Sequence, residues 1–316
     1  GPEIEAWITN GVAHGMRPWF TKFNGVIHDP RWVQPVVDGF GLHADLEPVL
    51  GAMQPTAEIA IIDPSTALRL WAPEMRPAAE RDDLGFYHAL VEARLPFELL
   101  SDQMLSPERL DRFGAVVLAN ARCLSEAQCA ALAAYVARGG SLIAAFETST
   151  RDEHGGERDE LGLADLLGVR LRAPARGPVK NNYIALNGDH PINRGYEGAR
   201  RIIGGTRLLE VEAVADAAQP FLFVPDFPDL PMEEGYAREE PRGAAVIARE
   251  HPGGGRTVYF PWNLGSLFWD VLAQDHQRLS ANAVRWALGR RPRLEVAGEG
   301  VLDLAVRENG EGLAVV

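Results

Sequence analysis

The sequence has 316 residues, 46% hydrophobic and 24% charged, an ordinary globular composition with enough apolar material for one large domain or two of typical size. A formal net charge of -13 argues against nucleic acid as a partner, because phosphate binding needs clustered Lys and Arg, and it suits a neutral ligand such as a sugar. Cys123 and Cys129 lie six positions apart at a predicted helix start, which speaks against a disulfide framework and for a reducing, cytoplasmic compartment. No stretch is long and apolar enough to span a membrane, and no basic and then apolar leader opens the sequence.

Residues 3–14 (EIEAWITNGVAH) read as a helix, with Pro2 in its first turn, Glu3 and Glu5 at its positive end and Gly15 to close it. The aromatic run MRPWFTKFNG that follows predicts a strand, and Asp29-Pro30 opens a second helix towards Leu50. A helix, one strand and a helix cannot close a sheet, so residues 1–53 are expected to be the end of a larger β/α barrel.

From Thr56 a regular alternation sets in. AEIAIID (57–63) is a near-continuous apolar run, as in a parallel strand buried on both faces. A helix over 82–95, the strand FELLSD (97–102), a turn at SPERL and the strand AVVLAN (115–120) follow. Ser125 with Gln128 forms a capping box for a helix that stops at Gly139-Gly140, and SLIAAFE (141–147) is the next strand. This spacing implies right-handed crossovers and an open, doubly wound parallel sheet with helices on both faces. After Val169 strands dominate: NNYIAL, RLLEVEAV, PFLFVPD, GAAVIARE and RTVYFPW, the last two joined by the turn HPGGG. The helix HQRLSANAVRWAL closes at Gly289, and residues 293–306 read as new strands. The expected division is therefore 1–53, 56–290 and 291–316, with truncation at both ends.

Three stretches carry a family resemblance. GVAHGMRPWFTKFNGVIHDPRW resembles the last barrel strand and following loop of bacterial hydrolases related to glycoside hydrolase family 42. AAYVARGGSLIAAFETSTRDEHGGERDELGLADLLGV and YFPWNLGSLFWDVLAQDHQRLSANAVRWAL resemble the centre and end of the β-galactosidase trimerisation domain, which has a flavodoxin-like, class I glutamine-amidotransferase-like fold. The resemblance implies a retaining hydrolase of terminal sugars, whose acid/base and nucleophile carboxylates stand about 5–5.5 Å apart on barrel strands upstream of this chain. It also implies a homo-oligomer, a trimer, with a carbohydrate substrate and no cofactor. Glu3 and Glu5 are poor nucleophile candidates, since about ten residues cannot hold the loop and helix that precede the eighth strand.

In that setting Trp19, Lys22, Asn24 and His28 are the candidate substrate-binding residues: Trp19 either stacks on a sugar face or packs in the barrel, Lys22 and Asn24 serve the sugar's hydroxyls, and His28 beside Asp29 is either a proton-transfer pair or a satisfied loop histidine. Glu147, Thr148, Asp152 and Arg158 lie just past a strand end and suggest a polar pocket or a subunit contact. Amidotransferases of this fold carry a cysteine where this sequence has Phe146 and Glu147, so that chemistry is not expected. No His-x-x-x-His or Cys-x-x-Cys spacing and no phosphate loop occurs, and the remaining option for a hard cation uses Asp152 and Glu153. Trp262, Phe268 and Trp269 belong either to the core or to a subunit contact. Two rival readings stand beside this one. The first is a stand-alone binding module of amidotransferase-like fold, and the second a hydrolase acting through Cys123.

Overall fold

The structure is a computed structural model that describes residues 2–21, 25–70, 76–227, 229–236 and 240–316, with backbone alone over 76–80. It divides into two compact units, one formed by residues 1–57 with 297–316 and the other by 58–296.

In the first unit, α1 (Pro2–Ala13) ends where the left-handed Gly15 returns its N–H to the Val12 carbonyl. Asp29 caps a short 3-10 turn, Pro30–Trp32, which leads into α2 (Val33–Leu50). The two helices cross closely at Gly39, where a Cβ would strike Ile8. The strand expected in MRPWFTKFNG is absent over its described part: residues 16–21 are irregular. Its β-forming aromatics find no neighbouring strand to complete a ladder, and Pro18 has no N–H to donate. A small sheet forms instead from β1 (Gln54–Pro55) and two strands at the far end of the chain, β13 (Val306–Asn309) and β14 (Gly312–Val315), in the order β1-β13-β14. The tail thus pairs later than expected, with 293–305 irregular. Arg307, 8% exposed, donates to the Met53 carbonyl, and Asp303 accepts from Asn10 and His14. The core of this unit is small: Val12, Leu50 and Met53, flanked by Ile8, Leu46, Ala314 and Val316.

The second unit is built on a nine-stranded sheet. β2 (Ile59–Asp63), α3 (Ser65–Leu70), α4 (Arg76–Glu92), β3 (Phe97–Ser101), α5 (Pro107–Leu110), β4 (Ala115–Leu118), α6 (Glu126–Ala137) and β5 (Ser141–Ala145) follow the expected alternation, with SPERL supplying the single turn α5. The Ser125/Gln128 capping box is present, and Gly139 at φ +102 ends the helix it starts. Next come α7 (Ala164–Leu167), β6 (Val169–Arg176), β7 (Tyr183–Leu186), β8 (Arg201–Ile203), β9 (Leu208–Ala213), β10 (Ala218–Val224), α8 (Met232–Gly235), β11 (Ala244–Glu250) and β12 (Arg256–Phe260). The unit closes with α9 (Leu264–Val271) and α10 (Gln274–Leu288), which stops at the left-handed Gly289.

The sheet runs β3-β2-β4-β5-β12-β11-β10-β7-β8. The first five strands are parallel and lie across the sheet in the order second, first, third, fourth, fifth, while β11, β10, β7 and β8 add an antiparallel flank. The expected parallel sheet thus continues into a mixed one, because the hairpin expected at HPGGG, across 251–255, reverses the chain beside β12 instead of crossing over. β6 and β9 pair separately as a two-stranded sheet.

Alternate residues of the parallel strands feed two apolar layers. Ile59, Ile61, Val117 and Ile143 join Phe86, Leu90 and Val284 on one face, and Ala60, Ile62, Val116 and Leu142 join Leu132, Tyr135 and Leu167 on the other. The aromatic stretch FPWNLGSLFW runs from the last residue of β12 into α9, with Trp262 and Phe268 buried and Trp269 39% exposed. α4 and α9 touch through backbone, since a Cβ on Gly85 would run into the Gly265 carbonyl. Alanine at Gly85 is therefore expected to cost about 1–3 kcal/mol from overpacking, reversing the usual helix gain over glycine, as a lower urea midpoint will show.

Candidate functional site

Open α/β sheets gather ligands beyond the carboxyl ends of their parallel strands. Here the chain leaves β5 through a sharp turn in which Phe146 (φ +50) and Ser149 (φ +61) both take the left-handed region. The turn is held from several sides. Phe146 N–H donates to the Phe260 carbonyl at 2.7 Å, Tyr259 Oη to the Phe146 carbonyl at 2.6 Å, and Ser149 N–H to the Ala121 carbonyl at 2.8 Å. Thr148, fully buried, donates its hydroxyl to the Ala145 carbonyl. A left-handed residue just past a strand end is one feature of a nucleophile elbow, but here no helix follows the turn directly, and that residue is a phenylalanine 1% exposed, with the Arg207 guanidinium 5.2 Å over its ring. Cys123 and Cys129 are buried thiols whose ionisation burial pushes up, to about 11 for Cys129, so neither is a ready thiolate at neutral pH.

Under the elbow lies a polar network. Glu147 pairs with Arg122 at 3.2 Å, both side chains nearly enclosed. The Glu147 N–H donates to Asn120 Oδ1 at 3.1 Å, and Asn120 Nδ2 donates to Asp82 Oδ2 at 2.8 Å. The other oxygen of Asp82 accepts the Ser266 N–H at 2.9 Å in the first turn of α9. Burial pushes the Asp82 carboxyl above its ordinary value, outweighing these hydrogen bonds. A second buried carboxylate, Asp102, accepts from Ser65 Oγ and Thr66 N–H, both at 2.8 Å, at the start of α3.

The four residues expected as a polar pocket divide between two places. Glu147 and Thr148 sit in the buried elbow. Asp152 accepts from the N–H groups of His154 and Gly156 in an outer turn, which holds its carboxyl below the ordinary range. Arg158 pairs with Glu126 and donates to the Leu124 carbonyl, so the loop is tied to the start of α6. Asp82, Asn120 and Arg122 were not anticipated as members of the network.

In the first unit Trp19 is 82% exposed and, with Trp7, Met16 and Phe20, lines a mainly apolar hollow of about 490 Å³. Phe20 stacks on Trp32 with centroids 5.2 Å apart. Lys22 and Asn24 lie outside the described residues. His28 is exposed, and its neighbour Asp29 engages Arg31 through both carboxylate oxygens rather than the imidazole. Arg17 reaches Glu47 on α2 at 3.8 Å. Among the described residues no three His, Cys, Asp or Glu side chains gather to hold a metal, and no helix is long and apolar enough to cross a membrane.

No family model matches the sequence, and a search of curated proteins returns no match. Solved structures are informative. The chain is similar to the β-galactosidase from Rahnella sp. R3 (TM-score 0.70, 19% identity, 97% of this chain and 44% of that one). It is also similar to the E323A catalytic mutant of Gan42B, a family 42 β-galactosidase from G. stearothermophilus (0.67, 19%, 97% and 43%). The fold is like that of family 42 β-galactosidases. An α-L-fucosidase, isoenzyme 2 from Paenibacillus thiaminolyticus, shares it as well (0.72, 15%, 98% and 44%). The chain spans less than half the length of each of these relatives.

Asp82 gives this site its clearest test. Its folded pKa is raised, so its proton stabilises the fold most below the ordinary value of 3.8, and that contribution is lost as pH rises through the folded value. Asp82→Asn removes this pH dependence but turns an amide N–H towards a donor. Urea denaturation is expected to show a loss of about 1–3 kcal/mol at neutral pH. The gap to the wild type should widen as pH falls towards the ordinary carboxylate range.

Proposed function

We propose that this chain is the accessory and assembly part of a glycoside hydrolase of β-galactosidase type, acting on carbohydrate, with the catalytic carboxylates on barrel strands upstream. The observation that carries this reading is the outward surface of the first unit. Trp7 (77% exposed), Trp19, Met16, Val37 and Val49 all face solvent around a core of three buried residues. Large apolar faces on both helices of a pair are what the end of a β/α barrel presents to its missing neighbours. Residues 1–53 are read as that barrel end, 56–290 as the trimerisation-type domain, and 291–316 as the start of a β domain.

The strand order second-first-third-fourth-fifth supports the flavodoxin-like, amidotransferase-like reading of the second unit. The buried Phe146 at its elbow favours a scaffold over a hydrolase of that fold. In this proposal the protein is a cytoplasmic homotrimer whose ring of heterologous contacts closes after three subunits, and it needs no cofactor. Trp19, Lys22, Asn24 and His28 edge the sugar site, while the loop carrying Glu147, Thr148, Asp152 and Arg158 serves the subunit contact.

Assaying this chain and a version extended through the upstream barrel against aryl β- and α-glycosides tests the proposal. Turnover is expected only from the extended protein, and Trp19→Ala in that protein should raise KM through lost stacking. Hydrolysis by the 316-residue chain alone would place the catalytic pair within it and refute the reading.

A further inference from the structure

A concave surface lies wholly within the 58–296 unit. It is a cleft of about 420 Å³ beside β9 and the β10–β11 pair, lined by Arg176, Asn182, Glu210, Phe223, Asp226 and Arg242 among others. That volume accommodates a sugar ring with its first hydration. The chain fixes the cleft rigidly. Phe223 and the Arg242–Gly243 backbone exchange hydrogen bonds of 2.7 and 2.9 Å, and Asn182 Nδ2 donates to the Gly205 carbonyl at 2.8 Å. Leu208, Leu209, Val224 and Ala244 beneath are all buried.

The charges in the cleft are distinctive. Arg176 pairs with Asp226 at 3.0 Å, which holds that carboxylate in place. Arg242 and Glu210 make no side-chain hydrogen bond or ion pair with any described residue, although both line the same cleft. A half-buried phenyl ring, one uncommitted guanidinium fork and two carboxylate acceptors together match a ligand with an apolar ring face, a carboxylate and several hydroxyl donors. We propose that this cleft binds an acidic saccharide, a hexuronate unit. Its carboxylate takes the Arg242 fork, its hydroxyls donate to Glu210 and Asp226, and its C–H face lies on Phe223. A neutral hexose leaves Arg242 without a counter-charge, and a simple inorganic anion has no hydroxyls for Glu210. The site owes nothing to the proposed hydrolase role, so its failure would leave that reading standing.

Isothermal titration of the 316-residue chain with glucuronate and galacturonate, against glucose and galactose, decides the matter. Saturable binding of at least one uronate is expected, about tenfold or more tighter than either neutral sugar. Arg242→Ala should abolish that preference, and Glu210→Gln should weaken uronate binding while retaining it. Arg242 is exposed, so its variant should melt with the wild type and any loss will report the site. Equal affinity for neutral and acidic sugars, uronate binding indifferent to Arg242→Ala, or no saturable binding by either uronate would each overturn the proposal.

Discussion

The buried carboxylate of Asp82 is the constraint on which the larger unit depends. It accepts one hydrogen bond from Asn120, just past β4, and another from the first turn of α9, so one side chain fixes a helix, a strand end and a second helix together. Asn120 passes the constraint on, because its carbonyl oxygen receives the Glu147 N–H and thereby sets the elbow after β5. Burying an ion in this way is costly unless its acceptor sites are filled, and here each oxygen of Asp82 has a donor. The close approach of Gly85 to Gly265 serves the same end, since only bare backbone lets α9 bring its N–H groups within reach of α4.

That arrangement bears directly on function. The turn after β5, at the carboxyl edge of the sheet, is occupied by packing groups: a buried phenylalanine, a buried threonine and a nearly enclosed ion pair. The two units also differ in what they bury. Residues 58–296 enclose two apolar layers on either side of the sheet, whereas residues 2–50 close over only a handful of apolar side chains and leave Trp7 and Trp19 exposed. A rigid scaffold joined to an apolar, unsatisfied surface is suited to assembly, in keeping with the accessory role proposed.

Much of the fold was legible in the residues because its signals are local. Runs such as AEIAIID and SLIAAFE are apolar at every position, as two-sided burial demands, and the Ser125/Gln128 box and Gly289 mark helix ends chemically. What escaped was decided by partners distant in sequence. β6 is missing from the strands read after Val169, although its arginines alternate with apolar residues as in a half-buried strand, and its ladder comes from β9 further along the chain. MRPWFT has strand-forming aromatics but no neighbour to complete a ladder, and β13 finds its partner in Gln54–Pro55, some 250 residues earlier. Within the site, Glu147 was visible as a charge at a strand end. Asp82 was not, because it sits in the polar run RDDLG and its partners lie 38 and 184 positions away.

Native-state hydrogen exchange of the 316-residue chain tests the central claim, that one unit is self-sufficient and the other relies on contacts beyond its own small core. Amides of β2, β4, β5 and β12 should exchange only through global unfolding, and those of α1 and α2 orders of magnitude faster. Equal protection in both units would mean that residues 1–57 need no further partner, and would contradict the barrel-end account.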